Sequence, residues 1–528
     1  MNRNYLFNFR KAILYHEQGN HLAAKELLLT FIIKYPSSIS ALGVLGNIET
    51  QLCHHHEASR YFAKIVLLDD TKATHFYNLG YSLQQLNQNE QALACYDQAI
   101  ALKQDFANAH SNKASIFLKQ YDLQRALDSY QKAIEIDQNR LDDYINYALV
   151  LLELNLPEQA LEVCGIAEKL GAIQQNMLFN KGFILSRMRR DIEAEQAYLA
   201  VLKLAPSDSK TRWNLSHLYL RNGIYSKGWP LYESRWENKA EFTQRVYDQP
   251  LWLGQASLKG KTIFLHPEQG LGDTIQFCRY AADVAALGAR VILGVQPPLK
   301  QLLAELKGVA VLITDGDAIP EFDFHCPLMS LPMALGLTEQ NIPVAKTYIK
   351  AMPAKVVAWR DKLKHESKPK VGLVWSGGFH ATFLSQRGIN NRRNLSLDKL
   401  NIFKGLDIDF YSLQKGDPAE SELKQRQATH WDGLEIINYA DDLTDFSDTA
   451  ALIENLDLVI TVDTSTAHLA GAMGKPVWLL NRFDSCWRWG VEGMDTHWYP
   501  CMKIFRQMQA HNWDDVLEDV VSQLRLLK

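Results

Sequence analysis

The 528-residue chain has little net charge: 56 basic residues against 60 acidic ones leave −4. That excludes nucleic-acid binding driven by bulk charge, though not a local basic patch. No uninterrupted apolar run approaches the ~18 residues of a spanning helix, so no membrane span is expected. The opening residues, MNRNYLFNFRKAIL, lack both the apolar stretch and the small-residue cleavage site of a secretion signal. Cysteine is scarce and unpaired in pattern. The seven (Cys53, Cys95, Cys164, Cys278, Cys326, Cys486, Cys501) are odd in number and include no C-x-x-C, which argues for a reducing compartment and against a zinc ribbon. A cytoplasmic protein is expected. Two further gaps are local. No tryptophan precedes Trp213, and only Pro36, Pro157 and Pro206 of the seventeen prolines fall in the first 208 residues. A region poor in helix breakers followed by one rich in Gly, Pro and Trp implies two architectures.

The first is a repeat array. At a period of 34, segments starting at Tyr5, Ile39, Ala73, Ala107, Leu141 and Gln175 each carry Ala at position 20: Ala24, Ala58, Ala92, Ala126, Ala160 and Ala194. Position 8 is small throughout (Ala12, Gly46, Gly80, Ala114, Ala148, Gly182), and position 24 is mostly large (Leu28, Phe62, Tyr96, Tyr130, Cys164, Tyr198). Spacings of three and four keep such positions on one helix face. Small residues at 8 and 20 let two helices approach closely, and the large residue at 24 is expected to fill the gap to the next unit. This pattern resembles the tetratricopeptide repeat. A seventh unit starts near Ser209 and drifts. Gly228 replaces the packing Ala, and the aromatic GWPLYESRW (228–236) fits a cap docked on the next domain.

After Trp252 the pattern becomes strand, loop, helix. TIFL (262–265), RVILGV (290–295), VGLVW (371–375), FYSLQ (410–414), EIINYA (435–440), DLVITV (457–462) and VWLL (477–480) read as strands. Helices are expected over Asp273–Leu287 and Ser465–Met473. The polar KHESKPK (364–370) reads as a linker. Alternation of this kind implies parallel sheets in two doubly wound halves, with ligand at the carboxyl ends of the strands. The expected domains are 1–240, 241–366 and 367–528. The fold class is an α-helical repeat solenoid followed by two Rossmann-like α/β domains.

Two loops sit where that geometry places a ligand. In EQGLGD (268–273), Gly270 and Gly272 permit a tight turn and Asp273 lands at a helix N-terminus; the plainer reading is a helix cap. In VDTSTAHLAGAMG (462–474), Asp463, Thr464, Ser465 and Thr466 crowd a helix N-terminus with hydroxyls and free N–H groups. That is a ready site for a diphosphate, and more polar groups than one cap needs. Lys415 in SLQKGD could neutralise phosphate or be a solvated turn lysine, and Arg393 in NNRRNLSL offers bidentate geometry. His54, His55 and His56 point in different directions from a helix and suit solvent better than metal. Asp407-x-Asp409 has the spacing of a metal-binding D-x-D but lies just before a strand. No G-x-S-x-G, P-loop or H-E-x-x-H occurs.

EQGLGDTIQFCRYA (268–281), VGLVWSGG (371–378), SLQKGD (412–417), DTSTAHLAGAMGKPVW (463–478) and WYPCMKIFRQ (498–507) resemble bacterial tetratricopeptide-repeat glycosyltransferases. Their catalytic region is related to the heptosyltransferases of glycosyltransferase family 9, which have the GT-B fold. GWPLYESRW and DQPLWLGQASLKGKT (248–262) are similar to the same family. The resemblance implies that Asp273 is the catalytic base, with Glu268 and His266 next in line. It implies that Gln269, Gly270, Gly272, Trp375, Ser376, Gly377, Arg393, Lys415, Asp463, Thr464, Ser465, Thr466 and His468 line the substrates, with Asp463 and Thr464 on a nucleotide-sugar. Ser465 stands where heptosyltransferases carry Gly.

The resulting expectation is an inverting, metal-independent glycosyltransferase with no cofactor. Its partners would be a nucleotide-sugar and a protein acceptor held on the concave face of the repeats, a flagellin-like Ser/Thr. Nucleic acid is not expected as a partner, and self-association through the repeats is an alternative use of that surface. Rival expectations are transfer to lipopolysaccharide or another glycan, and a repeat scaffold with an inactive transferase half.

Overall fold

The computed structural model describes residues 3–171, 173–238, 244–342, 347–363, 368–378, 384–429 and 431–527. The linker residues 364–367 and both expected inner domain boundaries, at 240/241 and 366/367, touch residues outside that set. The chain forms two compact units, Met1–Asn180 and Lys181–Lys528.

The first unit is helical. It consists of α1 (Arg3–Glu17), α2 (His21–Lys34), α3 (Ile39–Gln51), α4 (His55–Leu68), α5 (Ala73–Gln85), α6 (Asn89–Leu102), α7 (Ala107–Gln120), α8 (Leu123–Ile136), α9 (Leu141–Glu153), α10 (Pro157–Lys169) and the start of α11 (Gln174–Arg187). The periodic alanines Ala24, Ala58, Ala92, Ala126 and Ala160 are fully buried. A Cβ added at Gly46 would lie 2.6 Å from the Phe62 ring, and one at Gly80 would lie 2.9 Å from Tyr96. The large residue at position 24 therefore packs on position 8 of its own hairpin as well as toward the next unit, where Asn112 donates to Tyr96 OH at 3.1 Å. Each hairpin turns through a left-handed residue at position 15: Gly19, Cys53, Asn87, Tyr121 and Asn155.

The second unit continues with α12 (Asp191–Leu204), α13 (Ser209–Arg221) and α14 (Tyr225–Tyr232) and then changes architecture. One sheet comprises β1 (Thr262–His266), β2 (Arg290–Val295), β3 (Val311–Thr314) and β4 (Phe324–Pro327), in order β3-β2-β1-β4. The other comprises β5 (Lys370–Val374), β6 (Asp409–Ser412), β7 (Ile437–Asn438), β8 (Leu458–Val462), β9 (Val477–Asn481) and β10 (Met502–Arg506), in order β10-β9-β8-β5-β6-β7. Every pairing is parallel. The helices of these halves are α15 (Leu271–Phe277), α16 (Ala281–Ala286), α17 (Leu331–Ala334), α18 (Pro353–Lys362), α19 (Leu384–Arg393), α20 (Ala419–Ala428), α21 (Phe446–Glu454), α22 (Ser465–Ala472) and α23 (Asp514–Leu524). This is an α/β arrangement of two parallel sheets.

One hydrophobic core joins both sheets to the last repeat. Leu220, Tyr225, Trp229 and Tyr232 belong to it together with Trp487 and Trp498. Trp229 meets Trp487 edge-on at 5.4 Å, and Tyr225 meets Trp498 edge-on at 6.1 Å. The seventh unit is thus built into the core of the sheets. The strand order reverses beside β1 in the first sheet and between β5 and β8 in the second. Ligands bind outside strand ends at such switch points, and the loops β1–α15 and β8–α22 leave from them.

Candidate functional site

The two loops meet. A Cβ added at Gly272, in the first turn of α15, would lie 2.9 Å from the His468 ring and 3.3 Å from Ser465 Cα, in the first turn of α22. Glycine at 272 is what lets the two helix N-termini abut. The sign of both macrodipoles is the same there, so the junction favours an anion.

On the α15 side, Gly270 is the N-cap and Asp273 is the third helical residue, so the helix starts two residues earlier than expected. Asp273 Oδ2 accepts from Gly270 N–H at 2.8 Å, the capping role of the plainer reading. Its other oxygen, Oδ1, accepts from Arg488 Nη2. Burial pushes the Asp273 carboxyl above its usual range, opposed by Arg488, while nearby Asp463 adds to the rise. About a fifth of the side chain stays exposed (20%), enough for a substrate to touch. The residue therefore combines access, partial burial and a raised affinity for a proton, as a general base requires.

On the α22 side, Thr464 is the N-cap but makes no capping bond with its side chain. Its hydroxyl instead lies 3.1 Å from Thr461 Oγ1, so the Ser465 and Thr466 N–H groups are left for a ligand, while those of Ala467 and His468 bond Thr464 O. Thr466 is buried in the same turn and Ser465 half-buried. Asp463 presents its carbonyl to Arg393 Nη1 at 3.0 Å. Arg393 also donates to Asn390 Oδ1 at 2.7 Å. Its guanidinium lies across Gly377, where a Cβ would come within 2.1 Å of Nη2. Gly377 N–H donates to Asn394 and Ser376 N–H to Gln414 Oε1, both at 3.0 Å. His468 Nδ1 lies 2.9 Å from Tyr499 OH, and its ring stacks on Trp489. Burial, reinforced by Arg488, pushes His468 down to about 3, so the ring stays neutral.

Other sequence candidates lie further off. His266 is buried on β1, its Nε2 3.2 Å from His325 Nδ1 and its ring packed on Tyr247. Burial and His325 push it down to about 3. Glu268 is held by Arg235, with Nε to Oε2 at 3.0 Å and Nη2 to Oε1 at 3.1 Å. Burial raises Glu268 to about 7 against the pull of that guanidinium. Gln269 donates to Tyr232 OH at 3.2 Å. Trp375 is part of the second-sheet core. Lys415 is half-exposed (53%), donates to Ala440 O at 2.7 Å and sits 3.6 Å from Glu420. The Asp407–Asp409 pair is split: Asp407 faces Lys368 at 3.2 Å, while Asp409 is buried on β6. Among the described residues no group of His, Cys, Asp and Glu is arranged to hold a metal.

The segment between β9 and β10 supplies residues that sequence reasoning missed. Arg488, flanked by Trp487 and Trp489, binds Asp273 and Gln276 and lies over the Trp487 ring at 4.2 Å. A charge between two tryptophans is costly unless paired, and that signal was readable. Asp484 is buried among three guanidiniums: Arg392 at 2.9 Å, Arg482 at 3.0 Å and Arg187 at 3.1 Å. Burial alone would raise Asp484; the arginines hold it far below the carboxylate range. With Arg393, these groups give the β8–β9 end of the sheet an excess of positive charge. Arg187 closes α11, so a repeat helix contributes to it.

Residues 412–480 match the glycosyltransferase family 9 (heptosyltransferase) model, and residues 77–140 and 175–208 match tetratricopeptide-repeat models. The chain joins tetratricopeptide repeats to a family 9 glycosyltransferase domain, and it is a glycosyltransferase. The matched segment contains Lys415 and Asp463–His468; the Asp273 loop lies outside it. The chain is 25% identical over 541 residues to the protein FlbA of Caulobacter vibrioides, covering 96% of this chain and 81% of that protein. It is 25% identical over 178 residues to the protein O-mannosyl-transferase TMTC3 of Homo sapiens, covering 33% of this chain and 20% of that protein. The chain thus spans about a fifth of TMTC3. Among solved structures it is similar to MamA, with 21% identity and a TM-score of 0.29, over 30% of this chain and 93% of MamA. No helix among the described residues is long and apolar enough to cross a membrane.

Proposed function

We propose that the protein transfers a sugar, with inversion and without metal, from a nucleotide-sugar to a protein Ser/Thr of flagellin type. The abutment of the α15 and α22 N-termini carries this reading, because it puts Asp273 beside uncapped N–H groups suited to a diphosphate. The acceptor hydroxyl would lose its proton to Asp273 while its oxygen attacks the anomeric carbon. The bond to the diphosphate breaks on the opposite face, and the nucleotide leaves with the electron pair. Arg393 and Arg482 near Asp463 supply the positive charge that a metal would otherwise bring to the leaving group. The repeats of the first unit suit recruitment of a protein acceptor, and the described activity of TMTC3, O-mannosylation of protein, fits an acceptor of that kind. The flagellin assignment comes from the resemblance of the sequence motifs.

Thermal shift and calorimetry with ADP, GDP, UDP and CMP test the donor side. One nucleoside diphosphate should stabilise the protein. Asp463→Ala and Thr464→Ala should weaken that binding with folding intact. Asp273→Asn should not weaken it, while turnover falls by about 10²-fold or more. Unchanged affinity in both loop variants would sink the donor assignment, and near-normal turnover in Asp273→Asn would move the base elsewhere.

A further inference from the structure

Each Asp273 oxygen accepts one hydrogen bond, and the ion pair with Arg488 opposes the gain in proton affinity that burial gives the carboxylate. Oδ2 is tied to Gly270 N–H within its own turn, a bond that keeps the loop shape. Oδ1 is tied to Arg488, which comes from the far side of the site, between β9 and β10. Among the described residues, Arg488 has two other side-chain hydrogen bonds: Gln276 Oε1 on α15, and Cys486 Sγ at 3.6 Å. The guanidinium lies over the Trp487 ring, 4.2 Å from its centre, and is almost fully buried. It is thus a nearly desolvated cation whose one anionic partner is the residue that must be free for catalysis. It also stands close enough to His468, in the first turn of α22, to oppose protonation of that ring. A diphosphate resting on α22 would therefore come within the reach of Arg488.

We propose that Arg488 is a phosphate-binding residue of the donor site that Asp273 holds in place while the site is empty. This rests on the nucleotide-sugar reading above and adds a residue and an order of events to it. When the donor arrives, its diphosphate replaces Asp273 as the counter-ion of Arg488. Asp273 Oδ1, no longer paired with a cation, then becomes the stronger base that the acceptor proton needs. As the acceptor oxygen bonds to the anomeric carbon, the sugar–phosphate bond breaks, and its electron pair goes to the diphosphate held by Arg488. The proton on Asp273 passes to solvent when product leaves. Base and donor are coupled, so the carboxylate is released only when there is something to transfer.

The test is a double-mutant cycle on the full chain, read by calorimetry with inorganic pyrophosphate, with CMP and with the nucleoside diphosphate that binds best. Arg488→Met should weaken diphosphate and pyrophosphate binding by about tenfold or more, the loss of one charge-assisted hydrogen bond, and leave CMP less affected. Asp273→Asn should tighten diphosphate binding, because Arg488 no longer has to leave a carboxylate. That gain should vanish when Arg488→Met is also present. Arg488→Lys, which keeps the charge, should restore part of the affinity. The double variant has no orphaned buried carboxylate and so remains foldable even where Arg488→Met alone is not. A gain from Asp273→Asn that persists in the Arg488→Met background would reduce the effect to long-range repulsion and overturn the proposal. So would an Arg488→Met variant that binds as the wild type does. Failure of the wild-type protein to bind any of the probes overturns the nucleotide-sugar reading and this inference with it.

Discussion

Three histidines in the second unit are neutral because they are buried. His217, whose Nδ1–H donates to Trp213 O at 2.9 Å, is pushed down to about 4 by burial, and His266 and His468 to about 3. An unfolded histidine takes a proton near pH 6.5. Below that pH the unfolded chain binds protons that the folded one refuses, so stability is complete above ~6.5 and falls as pH drops toward 4. Each histidine contributes at most about 1.4 kcal/mol per pH unit. All tryptophans lie at or beyond Trp213, so tryptophan fluorescence in urea follows the second unit alone. His266→Gln should make its stability fall less steeply between pH 6.5 and 4.5, since one proton uptake is removed. An unchanged slope would mean that His266 is protonated in the folded state. Residues of this kind were only half legible. His266 and His468 stand out in their motifs, but their neutrality depends on neighbours such as His325 and Arg488 that are distant in sequence.

At the scale of elements, the repeats show what a periodic pattern can and cannot tell. Gly46 sits on α3 because the Phe62 ring of α4 occupies the space of its Cβ. Helix propensity favours Ala over Gly by about 1 kcal/mol, whereas overpacking costs about 1–3 kcal/mol. With ring carbons at 2.6 Å the clash dominates, so Gly46→Ala should destabilise the first unit. In a Phe62→Leu background the same change should stabilise it, a reversal that a double-mutant cycle by circular dichroism would detect. The same sign in both backgrounds would refute the packing argument. Period, register and the buried alanines were readable because every repeat reuses one contact. The hairpin turns were not, since Cys53 and Tyr121 occupy left-handed conformations that their side chains do not advertise. In the α/β halves the long apolar strands were legible. β3, β4 and β10 were not: all three lie at sheet edges, β3 and β4 have only four residues each, and β4 ends in Pro327. The single helix expected over Asp273–Leu287 is α15, a 3-10 turn and α16. At the break Cys278 Sγ and Arg279 Nε both bond carbonyls of the preceding turn, as Arg279 reaches for Trp498 O and Tyr348. Both partners are far away in sequence, and Trp498 belongs to the other half of the unit, so the demand leaves no local trace.

For the whole molecule, the functional border is set by where the contacts change. The terminal repeat supplies Tyr225, Trp229 and Tyr232 to the transferase core. It also supplies Arg235, which is fully buried and binds Glu268, Glu233 and Ser330 Oγ at once. Removing Arg235 would leave Glu268 as a buried charge without its partner, in the loop that carries Asp273. Breaking such a pair costs about 3–5 kcal/mol, and losing the aromatic residues would expose on the order of several hundred Å² of apolar surface. The earlier repeats make no such demand, because they form a unit of their own. Truncation should therefore behave in two steps. A chain starting at Leu141, at a repeat boundary, should remain folded and hydrolyse donor in the absence of acceptor. It should lose transfer to the protein acceptor and its co-purification, because the recruiting repeats are gone. A chain starting at residue 241 should lose donor hydrolysis as well, with aggregation or a lowered Tm. Full hydrolysis by that shorter chain would show that the terminal repeat is a passive cap. Undiminished protein glycosylation by the chain starting at Leu141 would separate the repeats from acceptor choice and favour a glycan acceptor.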